Sequence, residues 1–384
     1  MQCNAQPALS GRGIEVRPAS FRRPVHCLLG IPIDALTQSE AVQRIRTAVA
    51  SHLPCRFVTP NVHFMLTAQA EPAFRDSIIA GDLAVADGMP LIWIARLLGV
   101  PLKERVAGAD LFEALLRGEG GNLKVYFFGA PDGVAEKASQ RVNALAGPVR
   151  CVGFASPGFG SVEALSAPET IGRINASGAD FVVVALGAQK GQAWIERNRR
   201  DLIAPVVSHL GAVVNFVAGT LVRAPRWMQS SGLEWLWRIK EEPQLWRRYW
   251  QDACVLFPML LTHVLPSMMD RTLAALSQVK KPVQLVIEPV ADDSSPTRVA
   301  LSGSWRASDT PLLCAILEEI VREPKDIEVD LSGLERVDGA FIARMMLLRG
   351  HQCEIGRRLS IPMPPPNLQR IFRHHCAEFL LQPE

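Results

Sequence analysis

Five short strands, apolar along their length but for a polar residue at some of their ends, constrain this chain most. Each stops at a polar or glycine-bearing turn. Arg56-Phe57-Val58 ends at Thr59-Pro60-Asn61, and Leu83-Ala84-Val85-Ala86 ends at Asp87-Gly88. Lys124-Val125-Tyr126-Phe127-Phe128 ends at Gly129, Phe181-Val182-Val183-Val184-Ala185 ends at Leu186-Gly187, and Pro205-Val206-Val207-Ser208 is followed by Gly211. Strands without polar alternation are buried on both faces, and helical stretches between them place such strands in a parallel sheet covered on both sides. Helices are expected over about 63–80, 90–98 and from the Gly129 turn to about 145. The expected class is therefore α/β. Ligands bind such sheets beyond the carboxyl ends of the strands. Thr59, Asn61, Asp87, Gly129, Gln189 and Gln192 lie in that zone and are the first candidates.

Composition removes several alternatives. A net charge of only +3 over 384 residues lacks the basic bias of a nucleic-acid binder, so no nucleic-acid partner is expected. The eight cysteines are scattered without a Cys-x-x-Cys pair, which suggests neither a zinc ribbon nor a dithiol site. No Gly-x-Gly-x-x-Gly run follows the first strand, which argues against a nucleotide-dependent oxidoreductase. Residues 1–28 hold Arg12, Arg17, Arg22 and Arg23 in polar, proline-containing sequence; they read as a flexible leader rather than a secretory signal.

The style changes after residue 222. Over 223–278, Trp227, Trp235, Trp237, Trp246 and Trp250 interleave with Arg226, Arg238, Arg247 and Arg248. Tryptophan suits a membrane–water boundary and arginine suits phosphate, so this helical appendage is expected to touch a membrane surface. A packed helical subdomain with a solvated arginine face fits the same residues. The stretch Ala253 to Leu265 is shorter than the roughly 20 residues a spanning helix needs and contains Pro258, so a crossing is not expected. Lys280-Lys281-Pro282 marks a boundary, and 279–384 read as a separate small α/β domain. Its strands are Val299-Ala300-Leu301 and Ile327-Glu328-Val329-Asp330-Leu331, with a helix from about Pro311 to Val321 between them.

Several segments, in order, carry a resemblance. They are Thr59-Pro60-Asn61, Ala86-Asp87-Gly88, Arg105-Val106-Ala107-Gly108-Ala109-Asp110, Ala218-Gly219-Thr220, Arg223-Ala224-Pro225, Gly232-Leu233-Glu234-Trp235, Glu242-Pro243 and Arg247-Arg248-Tyr249. Over about residues 29–252 the chain resembles the TagA/WecG/CpsF glycosyltransferases. It departs from their pattern at Gln189-Lys190-Gly191-Gln192, where they have Pro-Lys-Gln-Glu, and at His63, Asn215 and Gln244. Val329-Asp330-Leu331-Ser332-Gly333-Leu334 followed by Val337-Asp338-Gly339 is similar to the strand and signature loop of a STAS domain. Phosphorylatable STAS domains carry an Asp-Ser-Ser sequence there. Asp338-Gly339-Ala340 has no hydroxyl, which excludes that modification and leaves a docking role.

The resemblance implies a Rossmann-like core of the GT-E type over 29–222, the appendage over 223–278 and a STAS-like domain over 279–384. It implies an inverting transfer from a UDP-sugar (N-acetylmannosamine, its uronate or a hexose) to a polyprenyl-diphosphate-linked saccharide, in cell-surface polysaccharide synthesis. The protein would then sit peripherally on the cytoplasmic face of the membrane. Asp87 is the candidate base, although helix N-capping suits an Asp in that place. Thr59, Asn61 and Gly88 are candidates for sugar or acceptor contact, and Thr59 and Asn61 equally suit a turn at Pro60. Asp110, Gly129, Gln189 and Gln192 are candidates on the nucleotide side and Arg105 is a further substrate-binding candidate; helix capping is the commoner role for an Asp placed as Asp110 is. No Asp-x-Asp triad is present in the transferase half, so Arg238, Arg247 and Arg248 are expected to meet the leaving diphosphate without a metal or other cofactor. A different class of reading is a degenerate transferase fold that serves as a scaffold and docks a protein partner through the STAS-like domain.

Overall fold

The computed structural model describes residues 21–119, 121–276, 284–287, 296–305 and 307–382. The chain divides into two compact units, one of residues 34–96 and 101–256, the other of residues 1–33, 97–100 and 257–384. Two strands open the described chain, β1 (Val25–Leu28) and β2 (Ile31–Asp34), paired with each other. The two residues between them, Leu29 and Gly30, both have positive φ, as tight two-residue turns prefer.

The larger unit follows in alternation. Its elements are α1 (Gln38–Ala50), β3 (Cys55–Val58), α2 (Val62–Ala70), α3 (Pro72–Ile79), β4 (Leu83–Ala84), α4 (Met89–Leu98), α5 (Gly108–Leu116), β5 (Leu123–Gly129), α6 (Val134–Ala144), β6 (Val149–Ala155), α7 (Pro168–Ala176), β7 (Phe181–Ala185), α8 (Ala188–Asn198), β8 (Val206–His209) and α9 (Gly211–Ala218). The six strands from β3 to β8 form one parallel sheet in the order β4-β3-β8-β7-β5-β6. Alternate side chains explain the all-apolar strands. Val125, Phe127, Phe181 and Val183 enter one core; Tyr126, Phe128, Val182 and Val184 enter the other.

Three details differ from the sequence expectation. The helix expected over 63–80 is two helices, because Glu71 is extended ahead of Pro72, which opens α3. β4 is only two residues long. The chain beyond it stays paired, through Val85 N to Val58 O at 3.0 Å and Asp87 N to Pro60 O at 2.7 Å. β6 was not expected: it is an edge strand with exposed Arg150 and Phe154, so it lacks the continuous apolar run.

The appendage contains α10 (Arg226–Ser230), α11 (Glu234–Glu241) and α12 (Leu245–Met259); a π-turn, Leu260–Val264, joins α12 to α13 (Leu265–Leu276). Pro258 does not interrupt this run, contrary to expectation. It sits inside the helix, and the π-turn that starts two residues later absorbs the irregular hydrogen bonding. The helix Leu245–Thr272 is, by length and composition, long and apolar enough to cross a membrane, and 11% of its apolar window is buried.

The second unit holds β9 (Gln284–Ile287), β10 (Thr297–Ser304), α14 (Thr310–Ile320), β11 (Ile327–Arg336), α15 (Gly339–Glu354), β12 (Leu359–Ser360) and α16 (Pro366–His374). Its sheet runs β12-β11-β10-β9, parallel except at the β9–β10 pair. Lys280-Lys281-Pro282 lies outside the described residues. Asp338 caps α15 by accepting from Phe341 N at 2.9 Å.

Residues 21–28, grouped with the leader in the sequence, belong to this unit. Phe21, Val25, Cys27 and Leu28 are fully buried. The buried Arg344 guanidinium donates to Arg23 O at 3.1 Å and Val25 O at 3.3 Å, and Cys314 Sγ meets Phe21 O at 3.0 Å. A buried guanidinium needs such acceptors, and the segment supplies them from its backbone.

Candidate active site

A cavity of about 750 Å³ opens at the carboxyl ends of β4, β3 and β8. This is the size and place expected for a ligand site in an open parallel sheet. Thr59, Asn61, Asp87, Gly88, Arg105, Arg238 and Arg248 all line it. Thr59 is 7% exposed at the end of β3. Asn61 caps α2, its Oδ1 accepting from Phe64 N at 3.0 Å, which leaves its amide NH₂ for other partners. Gly88 has φ +115, a conformation that lets the backbone turn away directly after Asp87.

Asp87 sits where the β4 chain leaves the sheet. Burial raises its pKa to about 6; Arg105 opposes the rise, and Glu234 and Asp110 add to it. The carboxylate is thus ionised at neutral pH yet basic enough to take a proton.

Around it runs a lattice of charge. Arg105 donates to Glu234 Oε2 and to Asp110 Oδ2, each at 2.6 Å. Arg223 donates to Asp110 Oδ1 at 2.7 Å and lies 3.6 Å from Glu234 Oε1. Asp110 therefore does not cap α5: the cap position is Ala107, and the Asp110 carboxylate bridges two guanidiniums.

The appendage supplies the remaining wall. Arg238 lines the cavity but pairs with Glu242 at 2.7 Å and lies over the Phe216 ring. Arg248 lines it with no carboxylate partner among the described residues, its guanidinium 5.2 Å from the Tyr249 ring centre. Arg247 is exposed, stacks on Trp246 and is not part of the lining.

The residues after β5 and β7 are placed elsewhere. Gly129 has φ +95, and a Cβ there would lie 2.5 Å from Ala185 O, so close strand packing alone requires glycine. Gln189 donates to Glu71 Oε1. Gln192 is buried in α8, 3% exposed, and is not part of the lining. The crevice uses the other half of the sheet.

Sequence reasoning missed Arg223, Glu234, His209 and the pairing of His63 with Asp252. Arg223 and Glu234 stood inside segments quoted for the resemblance, but nothing local shows that they meet Arg105 and Asp110. His209 ends β8 and lines the cavity; burial lowers its pKa to about 4, so it is neutral, and its Nε2 has no hydrogen-bond partner among the described residues.

Residues 26–269 match the family described as "Glycosyl transferase WecG/TagA/CpsF family", and residues 289–375 match "Mlab, STAS domain". The chain is similar to an N-acetylglucosaminyldiphosphoundecaprenol N-acetyl-beta-D-mannosaminyltransferase of Bacillus spizizenii. The identity is 29% over 223 residues, covering 56% of this chain and 85% of that relative. With the family match spanning more than half its length, the chain belongs to the WecG/TagA/CpsF glycosyltransferase family and carries a C-terminal domain of the STAS type.

Proposed function

We propose that this glycosyltransferase moves a sugar from a UDP-sugar to a polyprenyl-diphosphate-linked saccharide in cell-surface polysaccharide synthesis, with inversion and without a metal. The observation that carries this reading is Asp87, whose pKa is raised to about 6 in a cavity that also holds Arg248, an arginine without a carboxylate partner among the described residues. The Asp87 carboxylate takes the proton of the acceptor hydroxyl as that oxygen bonds the anomeric carbon. The bond from that carbon to the UDP oxygen breaks, and the departing diphosphate takes its electron pair. Arg248, and Arg238 beside it in the lining, meet the charge that develops. Thr59, Asn61 and the Gly88 backbone contact the sugars; Arg105 and Asp110 hold the floor around Asp87.

The relative's name speaks of N-acetylmannosamine and a diphosphoundecaprenol acceptor, which supports that donor among the hexosaminyl, uronate and hexose alternatives. A lipid-linked acceptor also suits the appendage. Trp250, Val255, Phe257, Leu261, Leu265 and Met269 are exposed along α12 and α13. Asp252 of α12 pairs with His63 within one unit, and Asp270 of α13 pairs with Arg370 and His374 within the other. Helices that expose apolar residues and tie a carboxylate to their own unit suit lying in a membrane surface rather than crossing it. The protein is accordingly assigned to the cytoplasmic face as a peripheral protein, with the STAS-like domain free to dock a protein partner.

The test is UDP release from a panel of UDP-sugars with a lipid-diphosphate saccharide acceptor. Acceptor-dependent release that survives EDTA and falls by about 10²-fold or more in Asp87→Asn is expected. Release abolished by EDTA would overturn the metal-free mechanism. No release from folded wild type with any donor would overturn the transfer reading and favour the scaffold.

A further inference from the structure

His63 and Asp252 form a pair that the proposed chemistry does not use. His63 is in the first turn of α2 and Asp252 is two turns into α12; both line the cavity. His63 Nδ1 lies 3.0 Å from Asp252 Oδ1, and the Asp252 side chain is only 13% exposed. An ionised carboxylate accepts and cannot donate, so the proton in this contact sits on Nδ1. In the neutral ring Nε2 is then a hydrogen-bond acceptor. It has no partner among the described residues, and the ring is 36% exposed at the cavity. Arg248, one turn earlier on α12, lines the same wall and does not compete for Asp252 by an ion pair. A carboxylate that fixes one imidazole nitrogen and leaves the other unpaired, on a residue that lines a cavity, is how proteins set the tautomer of a histidine that contacts a ligand.

We propose that His63, oriented by Asp252, is a substrate-positioning residue whose Nε2 accepts a hydrogen bond from a hydroxyl or amide N–H of a hexose in the cavity. This rests on the transferase reading. The hexose is that of the donor or that of the acceptor, and kinetics separate the two. The competing role is a purely structural tie between α2 and α12.

His63→Asn distinguishes them. Its amide N–H can stand in for Nδ1–H, donate to Asp252 and keep the tie, but no atom takes the place of Nε2. The expected result is a loss of about tenfold in kcat/KM, the usual cost of leaving a polar group misfitted. It should appear chiefly as a higher KM for one substrate, and the substrate affected identifies the hexose. Asp252→Ala removes the acceptor that orients the ring and should raise the same KM, and the double variant should be no worse than the worse single variant, because the two residues act as one unit. Wild-type kinetics in His63→Asn, with an unchanged unfolding midpoint, would overturn the proposal and leave the structural tie, whether or not Asp252→Ala folds. A wild type that turns over separates this failure from failure of the transfer reading; a folded wild type with no turnover would overturn both.

Discussion

The side of the cavity around Asp87 and its α12 side are built in opposite ways. Around Asp87, Asp110 and Glu234 each meet both Arg105 and Arg223, four contacts between 2.6 and 3.6 Å, all between side chains no more than 24% exposed. On α12, one histidine–aspartate contact joins the helix to α2, and Arg248 has no carboxylate partner among the described residues. The braced side fixes the surroundings of Asp87 before any substrate arrives. The α12 side keeps positive charge that an incoming anion can complete. Preorganisation belongs where charge must be tuned, and spare charge where it is delivered by the ligand.

The sharpest way to break this comparison is at its two ends. Asp87→Asn keeps the shape and removes the base, and a loss of about 10²- to 10⁴-fold in kcat is expected. A loss below about tenfold would show that another group takes the proton. Arg248→Ala should cost about 10- to 100-fold in kcat/KM, the range for a lost charge-assisted contact. Arg247→Ala should cost clearly less, because Arg247 stacks on Trp246 outside the lining. Equal losses in the two variants would deny Arg248 its special place on the α12 wall.

The pH profile tests the braced side. The base must be ionised, so log kcat/KM should fall with unit slope as pH drops below about 6. Arg105 lowers the Asp87 pKa and Glu234 raises it, so Arg105→Gln should move this acid limb to higher pH and Glu234→Gln to lower pH. Limbs that move together, or not at all, would mean that the lattice does not tune Asp87.

These contrasts explain which parts of the site could be read in the sequence. Thr59, Asn61 and Asp87 were legible because polar residues at the ends of all-apolar strands have one place to go, the carboxyl edge of the sheet. That rule also selected Gly129, Gln189 and Gln192, because spacing along the chain does not reveal strand order. With β8 beside β3, the crevice forms over β4, β3 and β8, and the turns after β5 and β7 fall outside its lining. Arg223 and Glu234 act across more than 100 residues of sequence, and pairing at that range leaves no local periodicity. The segment Phe21–Leu28 looked like a leader because Arg22 and Arg23 dilute its apolar residues. In the structure Arg22 reaches Glu318 at 2.6 Å and Arg23 offers its carbonyl to Arg344. The STAS-like domain was legible from β11 and its loop, whereas α15 was not, because a helix buried nearly all round shows no amphipathic period.

The smallest expected effect concerns the outer face of the helix that bears Arg248. Phe257 is 64% exposed and is not part of the cavity lining, so its apolar surface has no evident use in water. If that face enters the membrane surface, removing one such ring gives up roughly 1 kcal/mol of apolar transfer, or about fivefold in partition. Phe257→Ser should therefore float with anionic vesicles about fivefold less well than wild type. Its kcat/KM on a short-chain, water-soluble acceptor should be unchanged, because the cavity is untouched. Unaltered flotation would remove lipid contact at this position and leave the exposed apolar stripe to another partner. A matching fall on the soluble acceptor would instead show that the α12 wall depends on the packing of Phe257, and that the loosely held side of the cavity extends further along the helix than its lining does.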